Sequence, residues 1–288
     1  MRKRETRQSL AHRYVSHERR SSERLTVVRD SGVAVVTLNR PRRRNALNRE
    51  LLLALKDTVR RLRDDTDTRV VVLTGAGDSF CAGVDISAEG RRDFYMPPQQ
   101  NERLYQEGGQ DIVWGLQSLP QVTVAAVNGP AIGWGTGLAT SCDFRFVSDK
   151  AFFRIPEIGF GMYYDVGCLY GLLSLVGPAQ ARRLTMLGED IDAQEAKRIG
   201  LVDQIVSSDE LGDVARGWAR DMADRATDAV RLVKMQLYAS TNARKRHLAS
   251  LEIELMSCYY DSNTDRYEGL AARENGRLPV FSREAIKM

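Results

Sequence analysis

Apolar residues follow two rhythms along this chain. Leu25 to Arg29, Val33 to Leu38, Val70 to Leu73 and Val122 to Val127 are short β-branched runs of the kind that form strands, and Asp30-Ser31-Gly32 joins the first two as a hairpin. Leu52, Leu55, Val59 and Leu62 fall at helical steps behind Asn48, a good N-cap, and Ile112, Leu116 and Leu119 repeat that spacing before Pro120. Phe144 to Val147, Ala151 to Phe153 and Asp203 to Val206 read as further strands. Leu172, Leu175 and Val176 belong to a helix, Gly177-Pro178 opens the next, and Asp192 with Glu195 has the spacing of a capping box for a helix ending near Gly200. Residues 88 to 108 are polar, contain Pro97-Pro98, and read as a flap. From Glu210 to Glu274 the pattern is almost wholly helical. Strands alternating with helices, then a helical tail, predict an α/β protein: an extension over 1–23, a core over 24–208 and a C-terminal helical subdomain over 209–288.

Composition sharpens this picture at its edges. At 288 residues and 43% hydrophobic, the chain can bury a large core. The net charge of +4 is unevenly placed, because residues 1 to 22 carry seven Lys/Arg against Glu5 and Glu18. The pI near 8.9 therefore describes a tail more than a basic surface, which removes most compositional support for nucleic-acid binding. Lys56, Arg60, Arg61 and Arg63 form a basic helix face, but Asp57, Asp64, Asp65 and Asp67 dilute it. Cys81, Cys142, Cys168 and Cys258 lack metal or redox spacing, and no apolar secretory segment precedes them, so reduced thiols and a cytoplasmic setting are expected. The Arg-rich N-terminus also fits a mitochondrial transit peptide, and so a matrix location, although Glu5, Glu18 and Glu23 oppose that. No apolar run reaches membrane-spanning length. His12, His17 and His247 lie away from every motif, so neither a Ser-His-Asp nor a Cys-His mechanism is expected, nor a metal site.

The candidate chemistry sits where two strands run into glycine turns. After Val122 to Val127 come the turn Asn128-Gly129-Pro130 and then Gly133-Trp134-Gly135-Thr136-Gly137, which leads into a helix. After Val70 to Leu73 comes Ser79 to Ile86, SFCAGVDI. A glycine turn opening a helix leaves amides at a positive dipole end, and two such turns suit an oxyanion hole with one N–H from each. Either turn alone is weak support, because strand–glycine–helix turns also serve packing.

Taken together, LNRPRRRNALN (38–48), SFCAGVDI (79–86), AAVNGPAIGWGTGLATSCD (125–143), FFRIPEIGFG (152–161), EAKRIGLVDQIV (195–206) and SNTDRYEGLAARENGRLPVF (262–281) resemble the crotonase family of enoyl-CoA hydratases and isomerases over roughly residues 24 to 282. The resemblance implies a crotonase-type ββα spiral core, a homotrimer or homohexamer, and an acyl-CoA thioester substrate with coenzyme A as its only cofactor-like part. By motif position, the oxyanion amides are those of Val84 and Trp134, where relatives commonly have Gly in place of the tryptophan. Hydratases of the family hold water between two glutamates. One matches Glu157, whereas the other matches Gly137, which has no carboxylate. Asp165, in Tyr163-Tyr164-Asp165-Val166-Gly167, follows eight residues after Glu157 and resembles the second carboxylate of the dienoyl-CoA isomerase branch. That branch also has an aspartate at the position of Gly137, so the match is partial.

The resemblance therefore implies double-bond isomerisation by a carboxylate proton shuttle, with hydration and thioester or carbon–carbon hydrolysis as rivals. An RNA-binding or non-catalytic member is the alternative of another class. Arg42, Ala46, Ala82, Asp85, Ile86 and Gly133 are expected along the CoA and acyl groove, and Tyr164 either donates its hydroxyl to substrate or fills the wall. The blander reading of Asp165 is a cap for a helix beginning near Val166, and that of Arg42 to Arg44 a solvated turn.

Overall fold

A computed structural model describes residues 24–87, 108–239 and 264–280. The elements run β1 (Leu25–Asp30), β2 (Val33–Leu38), α1 (Arg49–Arg63), β3 (Val70–Gly75), α2 (Gly108–Ser118), β4 (Val122–Val127), β5 (Ala131–Ile132), α3 (Trp134–Thr140), β6 (Phe144–Ser148), β7 (Phe152–Arg154), α4 (Cys168–Leu187), β8 (Ile191–Asp192), α5 (Ala193–Arg198), β9 (Gln204–Val206), α6 (Leu211–Ala223) and α7 (Thr264–Glu274). Residues 227–239 are also helical. The expected flap falls almost entirely outside the described residues, as do the N-terminal extension and residues 240–263.

Six strands form one sheet in the order β1-β2-β3-β4-β6-β9, and β5, β7 and β8 form a second, small sheet. The β1–β2 hairpin is antiparallel, whereas β2, β3, β4, β6 and β9 pair in parallel. Alternation along β3 divides the core between the two faces of the large sheet. Val71 and Leu73 face the cluster that includes α1 and α2, whereas Val70 and Val72 join Val124, Ala126 and Phe146 against Leu211, Ala215, Ala219 and Ala223 of α6. Helix α1 starts because the Asn48 side chain accepts the Leu51 N–H, and it turns Leu51, Leu52, Leu55, Val59 and Leu62 inward. Each such fully buried side chain contributes about 1.5–3 kcal/mol.

Gly177, at φ 70°, breaks α4 ahead of Pro178, in agreement with the helix start expected there. Asp192 caps α5 by accepting the Glu195 N–H, whereas the Glu195 carboxylate turns to Arg183 and Arg198 and completes no capping box. The two-residue strands β5 and β8 are too short to leave a periodic signal, and neither was expected. Helical residues 227–239 are tied to the sheet by Lys234, whose ammonium donates to Gln121 O at 2.8 Å and to Asp143 Oδ2 at 2.6 Å. Among the described residues, no helix is long and apolar enough to cross a membrane.

Candidate active site

The site forms where the chain leaves β3 and β4 at their carboxyl ends, and backbone hydrogen bonds zip the two exits together. Cys81 N–H donates to Pro130 O at 3.2 Å and Ile132 N–H to Cys81 O at 2.9 Å. Asn128 braces the same junction, with Oδ1 accepting the Gly75 N–H and Nδ2 donating to Gly77 O at 2.7 Å. Asn45 braces it from the far side. It is fully buried at φ 55°, a conformation asparagine tolerates better than most residues, and donates to Ala76 O and Ser79 O at 2.9 and 2.7 Å.

This zipper sets the two expected amide positions side by side. Leu47 N–H donates to Gly83 O at 2.7 Å and Asp85 N–H donates to Leu47 O at 2.9 Å, a parallel bridge that engages the residues flanking Val84. At Gly83, φ is +80°, and a Cβ there would lie 2.7 Å from Ile132 O and 3.5 Å from Trp134 N, so only glycine permits the turns to approach so closely.

Glu157 begins a short 3-10 turn (Glu157–Phe160) and reaches back beneath the second glycine turn. A Cβ at Gly133, itself at φ +53°, would stand 2.5 Å from Glu157 Oε1. The residue as a whole is half-buried, but Oε2 is shut from solvent with no hydrogen-bond partner among the described residues. Burial, reinforced by the charge of Asp165 and only partly offset by a backbone hydrogen bond, pushes its carboxyl up to about 8. A carboxyl so placed ionises near neutral pH and is poised to take and return a proton.

Asp165 stands just ahead of helix α4. Helix α4 begins at Cys168 behind Gly167, without a side-chain cap, and Asp165 contributes its backbone oxygen to the Cys168 N–H at 3.0 Å. Its carboxylate meets the Trp134 indole, with Nε1 3.4 Å from Oδ1, a long contact. The indole is buried over Gly109 of α2, where any Cβ would overlap the ring, and Val166 packs against the same spot. The tryptophan is thus packed inward with its N–H turned to a carboxylate. Val166 holds φ 52°, strained for a β-branched residue, so packing fixes the Asp165–Gly167 turn against its local preference.

At Gly137, the position of the absent carboxylate, a Cβ would overlap Cys168 Sγ and lie 3.3 Å from the Tyr164 hydroxyl. The space is filled by these two side chains. Burial, the neighbouring Cys168 thiol and the Glu157 charge push the Tyr164 phenol well above its ordinary value, so it stays protonated. Its oxygen has no normally formed hydrogen bond among the described residues, and the thiol is its polar neighbour.

The other expected groove residues divide. Ala46 is buried, Ala82 and Ile86 are half-buried, and Arg42 is exposed in the 3-10 turn Pro41–Arg43. Asp85 is already engaged, with Ser87 Oγ donating at 2.7 Å and Arg40 Nη2 at 2.9 Å. Burial alone would raise its carboxyl, but the Ser87 and Arg40 bonds outweigh it and hold the group below the usual range. Its carboxylate thus anchors the 83–85 segment to Arg40 and Ser87. Arg40, which sequence reasoning missed, also donates to Ala46 O and so ties the 40–46 turn to the 83–85 strand. Arg40 is one of four arginines between Leu38 and Leu47, so nothing in the local sequence set it apart. Among the described residues, no three His, Cys, Asp or Glu side chains gather as metal ligands.

Paired glycine turns zipped over a carboxylate with one buried, unpartnered oxygen, at the carboxyl end of parallel strands, are the layout of an enzyme that manages charge on a carbonyl oxygen. The model of the enoyl-CoA hydratase/isomerase family matches residues 28–283. The chain is 35% identical over 257 residues to a probable enoyl-CoA hydratase of Mycobacterium leprae, covering 86% of this chain and 85% of that one. Its structure is similar to an enoyl-CoA hydratase/isomerase from Pseudoalteromonas atlantica, with TM-score 0.80 and 30% identity over 90% of this chain and all of that one. It is also similar to a monofunctional enoyl-CoA isomerase from Mycobacterium smegmatis, with TM-score 0.64 and 32% identity over 77% of this chain and 95% of that one. The protein belongs to the enoyl-CoA hydratase/isomerase family, and its mixed α/β architecture is the crotonase-type fold.

Proposed function

We propose that this enzyme moves a carbon–carbon double bond along an acyl-CoA chain, with Glu157 carrying the proton. The amides of Val84 and Trp134 receive the thioester oxygen, and each such donor lowers the barrier by about 3–4 kcal/mol. Glu157 removes the proton at C2 of a 3-enoyl thioester. The electrons move onto the oxygen as a dienolate, and the same carboxylic acid, or Asp165 beside it, delivers a proton at C4 to leave the 2-enoyl thioester. No atom is gained or lost. Ala46, Ala82 and Ile86 line the groove for the thioester, with Arg42 at its exposed mouth for the phosphates.

The observation that carries this reading is the exclusion at Gly137. Adding water with two carboxylates requires a second one where Cys168 Sγ and Tyr164 now sit, whereas a proton shuttle requires only a carboxyl able to change state, as Glu157 is. A second reading, hydration, has its own support in the Tyr164 hydroxyl, which lies near Gly137 where it could orient water, and in the hydratase name of the Mycobacterium leprae relative. Separate incubation with 3-enoyl-CoA and trans-2-enoyl-CoA tests the two. Conversion of the first to a 2-enoyl product, with negligible hydroxyacyl product from the second, supports isomerisation. Rapid water addition to the second without a shift in the first rejects it.

A further inference from the structure

Buried polar groups are almost always hydrogen-bonded, so a cluster that is not marks something the site is shaped to receive. Six buried side-chain nitrogen or oxygen atoms among the described residues have no partner, and three of them belong to Glu157, Tyr164 and Trp114. All three meet the chain between residues 157 and 168. Tyr164 Oη lies beside Gly137 and the Cys168 thiol. Trp114 Nε1 comes within 2.5 Å of where a Cβ on Gly167 would stand, and that glycine, at φ +78°, directly precedes Cys168. Two of the three groups are donors lying against one strained turn: Tyr164 has only the Cys168 thiol beside it, and neither finds an oxygen to donate to among the described residues.

A plain alkyl chain laid in this site would leave both donors unsatisfied and shut off from water. We infer that the acyl group carries an oxygen acceptor, a hydroxyl, ether or oxo group beyond the reacting carbons, and that Tyr164 and Trp114 select it by donating hydrogen bonds. The inference rests on Glu157 marking the acyl site, as in the proposed function, but not on which reaction follows. The Tyr164 phenol remains a donor across the working range because burial keeps it protonated.

Matched CoA thioesters test this: saturated alkyl chains, which can be neither isomerised nor hydrated, against the same chains with one distal methylene replaced by an ether oxygen or a carbinol. Titration calorimetry with the full-length protein reads affinity independently of turnover. The expected result is about 10- to 100-fold tighter binding of at least one oxygen-bearing chain. That advantage falls to within about threefold in Tyr164→Phe and partway in Trp114→Phe, while circular dichroism shows both variants folded. Equal or tighter binding of the alkyl chains by the wild type, which is what a resident water serving the donors would give, overturns the inference, as does a preference unchanged in both variants. Failure of the isomerase assay with these affinities intact would reject the proposed reaction alone.

Discussion

At the scale of single residues, the proposed reaction and the stability of the fold both turn on the protonation of Glu157. Its carboxyl is raised from 4.5 to about 8 in the folded protein. As pH climbs from about 4.5 to about 8, the unfolded chain loses this proton before the folded one does, so stability falls across that window and levels off above it. Glu157→Gln is therefore expected to melt higher than the wild type, with a gap that widens from pH 5 to pH 8, while kcat/KM drops by at least about 10³-fold. In the wild type, kcat/KM should rise with pH through about 8, because the base must be ionised to accept a proton; a flat profile would dissociate Glu157 from the rate. Gly137 offers a second check. Gly137→Glu alone should destabilise the protein and fail to create hydratase activity, because the new side chain meets Cys168 Sγ, whereas pairing it with Cys168→Gly should restore the fold. Melting temperature and water addition to 2-enoyl-CoA read both outcomes. Glu157 was legible in the sequence by its place in the PEIGFG run. The displacement of a second carboxylate by Tyr164 and Cys168 was not, because it depends on two helices 30 residues apart in sequence meeting face to face.

At the scale of elements, the glycine turns work only because other segments hold them. Arg40 and Asp85 form a buried pair, 9% and 7% exposed, that fixes the strand carrying Val84 to the 40–46 turn. Arg40→Met should destabilise the fold by about 3–5 kcal/mol, since it strands a buried carboxylate, and Arg40→Met with Asp85→Asn should recover much of that in chemical denaturation. Strands and amphipathic helices were legible wherever packing imposes a period: the β1–β2 hairpin, the Asn48 cap and the stripe of α1 all appear where expected. Strands β5 and β8 were not, being two residues each, and the inward-packed Trp134 depends on Gly109, an element away. Asp165 read as a base or as a cap, and its contact with the Trp134 indole could not be read from the sequence.

At the scale of the whole molecule, the parallel sheet places both turns at one edge, and the segments behind it keep that edge in register. The Lys234–Asp143 pair joins helical residues 227–239 to β4, because Asp143 also accepts the Thr123 amide at 2.8 Å. Lys234→Met should cost about 1–3 kcal/mol of stability, with KM nearly unchanged; a large loss of kcat at full stability would contradict a purely architectural role. The overall α/β plan was legible because strand–helix alternation is a property of the whole chain, whereas the closing of two distant loops on one carboxylate is a property of the folded state. In the proposed reaction Glu157 itself carries the proton between two acyl carbons, and the fate of deuterium placed at C2 of 3-enoyl-CoA tests that most directly. The expected 2-enoyl product retains part of the label at C4, carried there by Glu157. Formation of a hydroxyacyl-CoA instead, or a shifted double bond still formed at the wild-type rate by Glu157→Gln, would contradict it.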